Sequence, residues 1–169
     1  MKRVAVFGNT GAGKSATSRK IAAAKSIPLF VLDEIQFLPG GKEVDKQQFI
    51  ESHNQLVALP EWVIDGFGNI ETLWPRLEIA DTLVYIDLPL GIHFWWVTKR
   101  FIKGLFTAPK GWPEKTPLLK ATLNSYKVLR VCHQRLTPAY RRFVKKNSNH
   151  KTVIHIRSVK DLDRFLGNL

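Results

Sequence analysis

The sequence predicts an α/β fold, a three-layer sandwich around a central parallel sheet of about five strands. Three observations carry that expectation. Short β-rich runs at 3–7, 28–32, 62–65, 82–87 and 152–156 are mostly continuous apolar stretches, as in strands covered on both faces. Helical patterns alternate with them, at 14–25, about 45–58, about 91–103, about 117–145 and 159–167. Between the first strand and the first helix lies Gly8-Asn9-Thr10-Gly11-Ala12-Gly13-Lys14-Ser15, which satisfies G-x-x-x-x-G-K-[ST].

Each element has its own reason. Arg3-Val4-Ala5-Val6-Phe7 is apolar and rich in strand formers, and it starts close enough to Met1 that no signal peptide is expected. The glycines after it let successive backbone N–H groups converge on one phosphate chain, and the next helix adds its N-terminal partial charge. Residues Gly8 to Ser15, with Ala16 behind them, are therefore the expected cradle of a nucleotide. Lys14 supplies a mobile charge for the β- and γ-phosphates of ATP, and the Ser15 hydroxyl can ligate Mg²⁺. The helix itself, Ala16 to Lys25, is Ala-rich and is closed by Pro28.

Ligands of open α/β sheets gather beyond the carboxyl ends of the strands, so the residue after each strand is informative. Strand two ends Phe30-Val31-Leu32-Asp33-Glu34. Asp33 is placed to orient or deprotonate a hydroxyl, or to hold a water on Mg²⁺; capping a helix or a turn is the alternative. Leu38-Pro39-Gly40-Gly41-Lys42 reads as a loop. Strand three, Trp62-Val63-Ile64-Asp65, runs into Gly66-Phe67-Gly68. An acid ending an apolar strand beside a phosphate loop is the usual second Mg²⁺-side carboxylate, with a simple Asp-Gly turn as the alternative.

Strand four ends Ile86-Asp87-Leu88-Pro89, where Asp87 is expected to cap the following helix, and Trp95-Trp96 on that helix are expected to pack in the core. Gly104 to Pro117 holds Gly, Pro and Trp112 between helical segments and reads as a lid-like insertion. The last strand leads into Arg157-Ser158-Val159, which either borders an adenine or lets Ser158 cap the final helix.

At 169 residues with 44% apolar and 11% aromatic content, the chain is expected to form one globular domain. Cys132 is the only cysteine, which excludes an intrachain disulfide and fits a reducing, cytoplasmic setting. No apolar run approaches the length of a membrane span. His53, His93, His133, His150 and His155 lack ligand spacing, so no zinc site is expected. The net charge of +12, concentrated beyond residue 98, admits two readings. The cations serve phosphorylated ligands, or the basic C-terminal half lies on nucleic acid as part of a nucleic-acid-associated NTP-binding protein. No zinc-finger, helix-turn-helix or RNP-like signature accompanies the charge.

Taken with Arg76-Leu77-Glu78-Ile79-Ala80-Asp81, Tyr85-Ile86-Asp87-Leu88-Pro89 and Lys99-Arg100, these motifs resemble the adenylate-kinase-related P-loop kinases. Within that group the chain is similar to the small bacterial adenylate-kinase-like and DNA topology modulation protein-like family, over nearly its whole length. The resemblance implies a nucleoside monophosphate kinase-like P-loop domain over 1–169 with a lid at about 104–117. It also implies ATP and Mg²⁺ as cofactors, a nucleotide or small hydroxyl-bearing acceptor, and a monomer or weak dimer.

Adenylate kinases carry Asp-Gly-Phe-Pro-Arg after the third strand. Asp65-Gly66-Phe67 matches, but Gly68 and Asn69 replace the proline and the arginine that grips the acceptor phosphate, leaving Arg76 as the nearest arginine. Leu32-Asp33-Glu34 is instead similar to kinases of small hydroxyl metabolites, such as shikimate and gluconate kinases. Arg100 matches the lid arginine that packs on adenine, and Arg130, Arg135, Arg141 and Arg142 fall in the region of the lid-return helix. The expected catalytic residues are thus Lys14, Asp33, Asp65 and Arg100; Arg100 and Arg157 join the nucleotide cradle, and Ser15 and Asp65 the metal.

Overall fold

The computed structural model describes residues 1–38, 42–106 and 118–169. Strands β1 (Arg3–Gly8), β2 (Leu29–Val31), β3 (Trp62–Asp65), β4 (Thr82–Ile86) and β5 (Thr152–Ile156) form one sheet. The order is β2-β3-β1-β4-β5 and every pairing is parallel. Each return is made by helices: α1 (Lys14–Lys25), α2 (Leu32–Gln36), α3 (Lys46–Val57), α4 (Ile70–Ile79), α5 (Leu90–Phe106) and α6 (Leu118–Asn147), with α7 (Val159–Gly167) closing the chain.

The apolar strands are continuous because both faces are covered. Ala5, Phe7, Ile64, Leu83 and Tyr85 face Leu73 and Leu77 of α4 and Tyr140 and Val144 of α6. Val4, Val6, Val63, Val84 and Ile86 face Ile21 of α1 and Leu162 of α7. Successive residues of one strand thus enter opposite cores, as the pleat dictates. Central β1 is fixed at its start by Asp81, whose carboxylate accepts from the amides of Lys2 at 3.0 Å and Arg3 at 2.7 Å. Those bonds, with that of Thr82, hold the Asp81 carboxyl below its usual range despite partial burial.

Two helices were not legible in the sequence. Leu32 begins α2 directly after β2, so Asp33 lies in a first helical turn rather than a loop. In α4, Pro75 masks a helix that carries it on an exposed face. The missed signal is a capping box, with Asn69 Oδ1 accepting from the Thr72 amide at 2.9 Å. Two further expectations change. Residues 104–106 of the expected lid continue α5, whereas 107–117 lie outside the described residues, as do 39–41 of the first loop. Trp96 packs on the core, but Trp95 is 58% exposed.

Candidate phosphate site

At the centre of the sheet β1, flanked by β3 and β4, delivers its last residue, Gly8, into the loop that leads to α1. Gly11 and Gly13 adopt left-handed backbone (φ +70 and +80), which L side chains rarely adopt. A side chain there would also strike Val97 and Trp96, because α5 packs directly on the loop. Gly13 is the residue before α1, so Lys14 and Ser15 open that helix. Ala12 points into the core and offers only its backbone to a ligand, whereas Ser15 and Ala16 are exposed on the first turn.

Lys14 Nζ donates to the Asn9 carbonyl at 2.8 Å. Burial lowers its pKa, and the carboxylates of Asp65 and then Asp33 oppose that shift. Lys14, Asp65 and Asp33, three residues named from sequence, therefore share one electrostatic cluster where β1, β3 and β2 end. Arg100 belongs to the same field, since its charge also depresses Lys14. Its guanidinium reaches Ser125 of α6 at 3.4 Å.

The two acids differ. Asp65 is 2% exposed, and its Oδ1 has no hydrogen-bond partner among the described residues. Asp33 stays open to solvent. Partial desolvation and the neighbouring Asp65 push its carboxyl up, against the pull of Lys14. An orphaned buried carboxylate oxygen beside a lysine and a glycine cradle fits a Mg²⁺-bound phosphate chain. Asp65 would reach such an ion through water, and Ser15 directly.

The ties between this loop and the helices were not visible in the sequence. Asn9, expected as part of the cradle, is 6% exposed: its Oδ1 accepts from the Thr10 amide at 2.8 Å and its Nδ2 donates to the Leu129 carbonyl of α6 at 3.1 Å. The buried His93 of α5 sits between the carbonyls of Thr10 and Leu88, each at 3.1 Å. A cavity of about 160 Å³ remains between Lys14, Phe67, Val128, Cys132 and Tyr140. Nothing local foretells these contacts, because α6 approaches the loop from some 120 residues away.

Asp87 is not the helix cap expected of it. α5 begins three residues later, and the Asp87 carboxylate is instead clasped by Arg141 at 2.8 and 3.0 Å and by His155 Nε2 at 3.0 Å. These partners hold its carboxyl down, overriding its desolvation. Arg157 in turn donates from Nε to His155 Nδ1 at 3.3 Å. Asp87, Arg141, His155 and Arg157 line a second cavity of about 890 Å³ between α6 and β5. Ser158 caps α7, its Oγ accepting from the Asp161 amide at 3.0 Å. Arg130, Arg135 and Arg142 are exposed along α6. Among the described residues no helix is long and apolar enough to cross a membrane, and no group of three or more His, Cys, Asp or Glu could hold a metal ion.

A family model for isopentenyl transferase matches residues 1–40, the segment that contains β1, the glycine loop and α1. No curated protein sequence matches the chain. Among solved structures, shikimate kinase from Acinetobacter baumannii in complex with shikimate is similar, with a TM-score of 0.57 at 18% identity. That similarity covers 99% of this chain and 94% of the other. Strand order and the near-complete overlap show that this chain shares the α/β fold of that structure, a five-stranded parallel sheet covered by helices.

Proposed function

We propose that the protein transfers a phosphoryl group from Mg-ATP to a small hydroxyl-bearing acceptor. The observation that carries this reading is the cluster of Lys14, Asp65 and Asp33, in which Asp33 is the more exposed of the two acids and has a raised carboxyl. A carboxylate shifted toward the working pH is a better proton acceptor for a hydroxyl than an ordinary aspartate.

When bound, Mg-ATP supplies the transferable phosphoryl group and the charge of the metal. Lys14 would leave the Asn9 carbonyl for the phosphate oxygens, where its charge counts most as negative charge shifts during transfer. Asp33 takes the acceptor's hydroxyl proton as the new oxygen–phosphorus bond forms and the bond to the ADP oxygen breaks. Asp65 would stand behind the phosphates, its free Oδ1 orienting a water. Arg100 adds positive charge from α5. The absence of arginine at Asn69 removes the grip an AMP phosphate would need, which favours a hydroxyl over a nucleotide acceptor.

Phosphorus NMR with Mg-ATP and two acceptor panels, hydroxy acids and polyols against nucleoside monophosphates, tests the reading. A phosphate ester in the first panel supports it. Turnover confined to the nucleotides overturns the choice of acceptor. No turnover, with salt-sensitive retention on DNA or RNA, overturns the kinase reading in favour of a nucleic-acid partner.

A further inference from the structure

Arg76 is 1% exposed, yet no carboxylate among the described residues forms an ion pair with it. A guanidinium buried without a direct ion pair is costly for a core to hold, and here the fields of Tyr140 and of the nearby Asp65 carboxylate only partly offset its desolvation. The helix that carries it has no need of the charge, since Leu73 and Leu77 already seat α4 on the sheet. The charge is instead spent on backbone. Arg76 Nη2 donates to the carbonyls of Gly66 at 3.0 Å and Phe67 at 3.2 Å, and Nη1 lies 3.2 Å from His53 Nε2 on α3.

Those two carbonyls belong to the turn that follows Asp65. Gly66 and Gly68 both have positive φ (+114 and +67), so the turn has neither strand nor helix pairing to define it. Its side chains face the phosphate site from two sides. Asp65 presents the orphaned Oδ1, and Phe67 lines the cavity beside Lys14.

We infer that Arg76 is a positioning residue which, braced by His53, locks the Asp65–Gly66–Phe67 turn in register with the phosphate loop. It acts from beneath the turn, with its guanidinium committed to the two carbonyls and His53, so it does not replace the missing acceptor arginine. The inference rests on the kinase reading for its effect on turnover, but not for its effect on the turn. Lysine cannot reproduce it, because a single ammonium cannot span two carbonyls and an imidazole in the fixed geometry of a guanidinium fork.

The test compares wild type with Arg76→Lys and Arg76→Met. Three measurements are made: amide exchange at residues 66–68, affinity for a fluorescent ATP analogue in EDTA, and Mg²⁺-dependent ADP release. Both variants should exchange faster at the turn. Nucleotide affinity in EDTA, which reports the glycine loop, should stay within about twofold while ADP release falls about tenfold or more. Unchanged exchange in Arg76→Lys overturns the inference even if wild type has no activity. Lower melting temperature with unchanged ADP release per folded molecule overturns it as well, since that marks a purely structural arginine. If Arg76→Met does not fold, Arg76→Lys alone decides. A wild type that exchanges slowly at the turn but neither binds the analogue nor releases ADP overturns the kinase reading instead.

Discussion

His53, beside Arg76, ties the stability of the fold to pH. It is 1% exposed against Arg76, and burial first and the guanidinium second push its pKa from 6.5 down to about 4. A folded-state pKa below the unfolded value means that the unfolded chain binds the proton first as pH falls. The contribution is therefore complete above pH 6.5 and is lost progressively between 6.5 and about 4. The full shift corresponds to a ceiling of roughly 3.4 kcal/mol, and screening in a medium of intermediate dielectric brings the expected loss to about 2 kcal/mol.

Urea denaturation of wild type and His53→Gln across this range isolates the term, because glutamine can still accept from Arg76 but does not titrate. Every other ionisable group is common to both proteins and cancels in the difference. Wild type should lose more stability than the variant, by over about 1 kcal/mol on going from pH 7 to pH 5. Parallel pH profiles would refute the argument. A wild type that gains on the variant as pH falls would mean that His53 is charged in the fold.

Other outcomes follow from the same geometry. Lys14→Ala should abolish ADP release in a turnover assay while leaving the melting temperature within a few degrees, since the lysine stabilises phosphate rather than the core. Asp65→Asn should cost about a hundredfold or more in turnover. Asp87→Asn should instead destabilise by about 2 kcal/mol in denaturation, leaving turnover of the folded protein intact, because it loosens Arg141 and His155. The acid limb of the turnover profile should lie above the ordinary aspartate range, because Asp33 must be ionised, and Asp65→Asn should move that limb to lower pH.

The sheet was legible because parallel strands buried on both faces leave unbroken apolar runs. Each expected strand lies within two residues at either end of an observed one. That Lys14, Asp33 and Asp65 gather in one place was legible for a related reason, since in such a sheet residues at the strand ends converge. What sequence hid was long-range. Pro75 argues against a helix locally, and the Asn69–Thr72 capping box together with the seating of Leu73 and Leu77 in the core overrides it. Asp87 before a proline reads as a cap until α6 brings Arg141 across 54 positions to claim it. Arg76 resembles a surface arginine in a helical motif, and its role depends on carbonyls nine and ten positions away in a turn whose shape no pattern specifies.

The place of β1 in the middle of the sheet bears on how the protein is made. Its neighbours are β3, 62–65, and β4, 82–86, and the aspartate that receives its first amides is residue 81. β1 leaves the ribosome ahead of both neighbours, so its edge toward β3 stays uncovered until residue 65 has emerged and its edge toward β4 until residue 86. At ordinary elongation rates that interval is on the order of ten seconds, during which Val4 to Phe7 travel as an unpaired apolar segment. The phosphate loop, which hangs from the end of that strand, cannot take shape before Ile86 has emerged. Chains truncated ahead of β4 should therefore be substrates for chaperones and proteases rather than nucleotide binders.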